Sequence, residues 1–121
     1  MTVKPVLSAV ILLLAAGEAL AQQPDRAGAY LQQCKICHSF DPGGRTAVGP
    51  NLHGVFGRKA GTVGNASEAM KSSGIVWNDA TLAKFLHDPR AAVPTNKMSF
   101  PGIADDAVLS DLIARLKQAT Q

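Results

Sequence analysis

The chain has 121 residues, with 12 Lys and Arg against 9 Asp and Glu, a formal net charge of +3 and 46% hydrophobic residues. That length holds one domain and not two, and so thin a basic surplus excludes the charged stripe of a nucleic-acid binder. A domain this small buries only about two-thirds of its unfolded surface, and with one Trp, one Tyr and four Phe it would gain from an added apolar element in its core.

In chain order, Met1 to Lys4 is short and basic, Val6 to Ala16 is almost wholly apolar, and Ala19-Leu20-Ala21 offers a small-x-small cleavage site. These are the three parts of a secretory signal peptide. The apolar run is shorter than the roughly 20 residues of a membrane-spanning helix. The reading is a signal peptide over 1–21, cleaved after Ala21, and one exported domain over 22–121 with no membrane span. Cleavage removes Lys4 and Glu18 together, so the net charge is unchanged.

Residues 25–33 read as a helix leading into Cys34 and Cys37. Residues 39–64 carry "DPGG", "GPN" and "FGRKAG" and read as a long irregular loop, of a length that usually has a task. A short helix is expected over 67–73, ended by Gly74. In "WNDATLAKFLHDP", Asn78 or Asp79 can cap a helix whose apolar face is Leu82, Phe85 and Leu86, with Pro89 as its stop. Residues 90–104 read as loop. Val108, Leu109, Leu112, Ile113 and Leu116 then mark an amphipathic helix with Asp105 and Asp106 at its N-terminal end and Lys117 near its C-terminal end, as the helix dipole prefers. No alternating run long enough for a strand is present. The fold class is all-α, with helices joined by long Gly/Pro-rich loops.

The chemistry concentrates in "CKICH", Cys34 to His38. A structural zinc site wants four ligands in separated pairs; here there is one cysteine pair, and His53 and His87 form no second. A dithiol oxidoreductase wants the pair at a helix start behind a strand, and strands are lacking. A disulfide between residues 34 and 37 would close a tiny loop and staple nothing. C-x-x-C-H is also the attachment sequence of haem c: each thiol adds to one vinyl group, His38 becomes the proximal iron ligand, and the haem supplies the missing apolar element. The sixth iron position then decides between a carrier and a catalyst. Met70 lies in a helical run, where a flexible core filler is the plain reading. Met98 lies in "VPTNKMSFPG", a proline-punctuated loop far from His38 in sequence, and is the candidate second ligand.

With these residues placed, the chain resembles the class I c-type cytochromes, in particular soluble bacterial relatives of mitochondrial cytochrome c. The resemblance spans about residues 25–120 through "CKICH", "GPNLHGVFGRKAG", "GIVW" and "VPTNKMSF". It implies one haem c held covalently by Cys34 and Cys37, with His38 and Met98 on the iron. It implies that Pro50 turns its carbonyl to the second nitrogen of His38, that Arg58 and Trp77 approach the haem propionates, and that Tyr30 meets the C-terminal helix at Leu112 and Leu116. His53 and His87 read as bystanders to the haem. Three departures stand out. The family's aromatic pair after "AG" is missing, leaving one propionate more exposed or held by Asn65 or Ser67. Phe85 replaces a tyrosine beside the methionine, and Arg26 replaces a small residue before the first helical turn.

The function implied is that of a monomeric periplasmic one-electron carrier and not an enzyme. It would run between a quinol-oxidising complex or dehydrogenase and a terminal oxidase, reductase or reaction centre. Its redox partners would present acidic faces to Lys35, Arg90 and Lys97. Two alternatives stay open: the haem subunit of a periplasmic dehydrogenase, and a peroxidase-like or gas-binding haem with Met98 displaceable. A thiol–disulfide enzyme is the remaining rival.

Overall fold

An aspartate begins the longest helix. In the computed structural model, which describes residues 1–3 and 23–121, Asp105 caps α5 (Asp106–Thr120) by accepting from the backbone N–H groups of Ala107 and Val108, both at 3.1 Å. Such a cap satisfies donors that the first helical turn leaves without partners. The expected apolar face is buried through Leu109, Leu112, Ile113 and Leu116, with Leu112 fully enclosed. The signal peptide expected over 1–21 lies, after its first three residues, outside the described residues.

Four further helices precede α5: α1 (Arg26–Cys37), α2 (Glu68–Ser72), α3 (Asp79–His87) and α4 (Pro89–Ala92). No strand forms among the described residues; a single antiparallel bridge joins Lys59 to Val76. The all-α expectation holds. α1 reaches four residues past the expected 25–33 and carries both cysteines in its last turns. α2 is capped by Ser67, which is therefore engaged with Met70 N–H at 3.3 Å. For α3 the cap is Asn78, in a reciprocal capping box with Thr81; Asp79 instead takes an ion pair from Lys117 at 3.0 Å.

One expectation is corrected. Residues 90–104 are not loop throughout, because Pro89 starts α4 rather than only ending α3. Asp88 ends α3 and caps α4, accepting from Ala91 N–H at 3.1 Å. Proline suits the first helical position, where its ring presets φ and no N–H is needed. This turn sets the base from which the Met98 segment leaves.

Helix α5 is the hub, packing on α1 and on α3, while α3 packs on α4. Ala27 is the buried residue of α1. Arg26 stays exposed and pairs with Asp105 at 2.8 Å, and Arg115 pairs with Asp25 at 2.9 Å, so the start of α1 is clamped to α5 by two ion pairs. Tyr30 sits edge-on to Phe100, ring centroids 6.0 Å apart, tying α1 to the segment after Met98. At its C-terminal end α5 is held by the long loop: Gly54 N–H donates to the carbonyl of the buried Thr120 at 2.6 Å.

The two clamping carboxylates predict the acid limb of stability. Hydrogen bonding from Gly28 N–H, then Arg115, lowers the Asp25 pKa from 3.8; Val108 N–H, then Arg26, does the same for Asp105. A depressed folded-state pKa contributes stability that is complete above the ordinary carboxylate value and lost as pH falls through the lower folded one. Stability followed by thermal unfolding in helical circular dichroism should therefore decline as pH falls below about 4. The Asp25→Asn/Asp105→Asn pair keeps both caps and should flatten that slope; equal slopes would contradict the assignment.

Candidate functional site

The two cysteines lie three residues apart near the end of α1, on one face of the helix. Burial pushes the Cys34 thiol pKa up, and Cys37 adds to the shift. The helix C-terminus, with its partial negative charge, also disfavours a thiolate. A disulfide-exchanging C-x-x-C needs the opposite, a lowered pKa at a helix N-terminus, so the thiol–disulfide reading loses its chemical basis. Nor do three or more His, Cys, Asp or Glu side chains gather to hold a metal ion among the described residues.

After Cys37 the helix stops and His38 turns extended, φ −124° and ψ 138°. Its Nδ1 lies 2.7 Å from the carbonyl oxygen of Pro50. A carbonyl only accepts, so Nδ1 is the donor and carries the proton. The Nε2 lone pair is left to coordinate. The "GPN" loop is brought there by Gly49 N–H donating to the Cys37 carbonyl at 2.8 Å. Gly49 is required: a Cβ at this position would overlap the His38 ring at Cε1. Asn51 steadies the loop from behind, donating to the carbonyls of Asp41 and Gly44, each at 2.9 Å.

Arg58 and Trp77 are brought side by side. Trp77 N–H donates to the Arg58 carbonyl at 2.9 Å, and Gly57 N–H donates to the Trp77 carbonyl at 2.7 Å. The Arg58 guanidinium donates to the carbonyls of Asn51 and His53, and desolvation lowers its pKa. Two of its five N–H donors thus knit the loop behind Pro50, and the rest stay available to an acidic group. Trp77 is buried, its ring tilted on Phe85 with centroids 5.2 Å apart. Phe85 therefore packs as an apolar wall.

Met98 and Cys34 are both half-buried against the common apolar core, as is Met70. Met98 N–H donates to Asn96 Oδ1 at 2.9 Å. His87 Nδ1 lies 3.0 Å from the Ile103 carbonyl, a contact that anchors the chain beyond the Met98 loop. His53 serves through its carbonyl. Sequence reasoning missed Gly49 and Asn96, whose importance lies in close approach and in backbone partners. It also missed Ile36 and Val48, which are 76% and 79% exposed; Ile36 adjoins Cys37 in sequence, while Val48 comes near it only through the Gly49 contact with the Cys37 carbonyl.

The donor chemistry fits a haem. Two thiols on one helix face can form thioethers, an imidazole with a fixed tautomer and a thioether sulfur can ligate iron, and part of a guanidinium remains for carboxylates.

No family model matches the chain. It is 44% identical over 112 residues to a cytochrome c2 of Blastochloris viridis, covering 89% of this chain and 88% of the relative. It is 42% identical, also over 112 residues, to a cytochrome c2 of Rhodomicrobium vannielii, covering 91% and 88%. Among solved structures, cytochrome cH from Methylobacterium extorquens matches with a TM-score of 0.69 and 42% identity, over 77% of this chain and 95% of that one.

The packing of Gly49 on His38 is directly testable. Gly49→Ala should destabilise by about 1–3 kcal/mol, the usual cost of overpacking, in chemical denaturation. It should also displace the His38 ring, so that 15N NMR no longer reports a proton fixed on Nδ1. An unchanged Nδ1–H signal would mean the ring is held by something other than this loop.

Proposed function

The chain belongs to the class I c-type cytochromes and is a cytochrome c2-like electron carrier, not an enzyme; from that premise we propose that it holds one haem c through Cys34 and Cys37, with His38 and Met98 as axial ligands. The observation that carries the reading is the 2.7 Å hydrogen bond from His38 Nδ1 to the Pro50 carbonyl. It frees Nε2 immediately behind the two thiols and fixes the tautomer and orientation of the imidazole.

When bound, the haem supplies the one-electron couple, and a methionine ligand favours its reduced form. The chain's own residues do the rest. His38 and Met98 enter from opposite ends of the sequence on separately anchored segments, so neither need move when charge changes. Arg58, and Trp77 beside it, meet the acidic edge of the group; Asn65 is exposed and Ser67 is engaged as a helix cap. The core of Leu82, Phe85, Leu112 and Trp77 keeps water from the apolar side.

The carrier works as a monomer in the periplasm after its signal peptide is removed. It takes electrons from a quinol-oxidising complex or a dehydrogenase and passes them to a terminal oxidase, reductase or reaction centre. No helix among the described residues is long and apolar enough to cross a membrane. Lys35, Arg90 and Lys97 are exposed and available to acidic partners. Asp105 is already paired with Arg26, and the exposed Ile36 and Val48 flank the attachment site. Docking thus combines a thin ring of positive charge with apolar contact and depends less on electrostatic steering than in a strongly basic carrier.

Two operations on the purified protein test this reading. Denaturation and acid–solvent extraction should leave the chain red, because thioethers do not release haem. Carbon monoxide added to the reduced protein at neutral pH should leave the spectrum almost unchanged, because both axial positions are filled. Loss of colour on extraction would refute covalent attachment. Rapid carbon monoxide binding would transfer the protein to the gas-binding or peroxidase-like class.

A further inference from the structure

The segment from α4 to Met98 contains one strained residue and one side chain that braces it. Thr95 has φ 65°, the single non-glycine residue with positive φ among those described. A β-branched residue rarely adopts the left-handed region and persists there only where its surroundings over-determine it. Thr95 and Pro94 also line a cavity of about 350 Å³, beside Ile75, Thr81 and Val93, so no packed wall prevents this turn from relaxing.

The brace is the neighbouring side chain. Asn96 Nδ2 donates to the carbonyl of Pro89 at 2.8 Å and to that of Val93 at 2.9 Å, and Asn96 Oδ1 accepts from Met98 N–H at 2.9 Å. The amide orientation is unambiguous, since the flipped group would set an oxygen against two carbonyls and an NH₂ against an N–H. Pro89 and Val93 are buried, so the anchoring end sits on a rigid base. Among the described residues, the backbone of 97–102 makes no hydrogen bond to other backbone; contact resumes only at Ile103 N–H, which donates to Leu86 at 2.9 Å. The Asn96 amide is therefore the polar link that fixes Met98 to the body of the fold.

We infer that Asn96 is a positioning residue for the Met98 sulfur, holding a strained turn closed so that the thioether stays on the iron. The inference rests on the assignment of Met98 as ligand made above. Substitution of Asn96 should shift the loop toward an open state without unfolding the protein, exposing the iron to added ligands.

The test uses the intact haem protein and compares wild type with Asn96→Ala and Asn96→Asp. The aspartate keeps an acceptor for Met98 N–H but loses both donors to α4. In each variant the part-buried tie from residue 96 to α4 is lost, so the loop should open and amide hydrogen exchange at Met98 should rise about tenfold or more, while Leu112 and Leu116 on α5 change by less than about twofold. The apparent affinity of the oxidised protein for added imidazole should rise by a similar factor, with a weaker near-infrared thioether-to-iron absorption. Unchanged Met98 exchange and imidazole affinity would overturn the inference. So would acceleration at Leu112 in step with Met98, which would mark general destabilisation. If Asn96→Ala assembles poorly, Asn96→Asp provides the same comparison. If wild type itself lacks the thioether absorption, the ligand assignment fails, and Met98 exchange still reports separately whether Asn96 holds the loop.

Discussion

The His38 imidazole has two nitrogens, and only one can be given to a metal. Which one is settled by the Pro50 carbonyl, 2.7 Å from Nδ1. Because that oxygen can only accept, the proton is placed on Nδ1 and the lone pair on Nε2. Much of the long loop serves this contact. Gly49 lets the backbone lie against the ring, Asn51 and Arg58 tie the loop to its own carbonyls, and Gly54 fastens it to the end of α5. Twenty-six residues that form no helix thereby acquire a physical purpose: they build a rigid acceptor for one proton.

The Met98 side is built differently. There the anchor is a side-chain amide reaching back to the four-residue helix α4, and the chain beyond it is tied down at Phe100 and Ile103. With His38 and Met98 as the proposed ligands, one stiff and one braced, such a site suits electron transfer, since little has to move when the charge changes. It also locates the weaker point. Should this fold drift toward ligand binding, the Met98 strap would open before the His38 loop did.

Much of this was legible in the residues. The helices announce themselves through caps and apolar spacing: Asn78 with Thr81, Asp105, and the Leu109-to-Leu116 face. "CKICH" carries the haem c attachment spacing of thiols and imidazole in its letters. Other features were invisible for definite reasons. Pro89 carries the same letter whether it ends one helix or begins the next, and only the Asp88 cap shows that it does both. The Pro50 carbonyl belongs to the backbone, so only the surrounding motif pointed to it. Arg58 was expected at an acidic group and in fact first braces the loop behind Pro50. Asn96 is one polar residue in a loop until α4 folds beneath it. Tertiary contact, rather than local preference, assigns such residues their work.

In the proposed site, His38 and Met98 both bind the iron and leave it no open position. A proton NMR spectrum of the reduced, diamagnetic protein tests it most directly, because a methyl group bound beside the iron lies in the ring current of the haem. One methionine methyl resonance should be shifted far upfield and assigned to Met98, with Met70 at an ordinary position. A shifted Met70 methyl, or no shifted methyl at all, would contradict it.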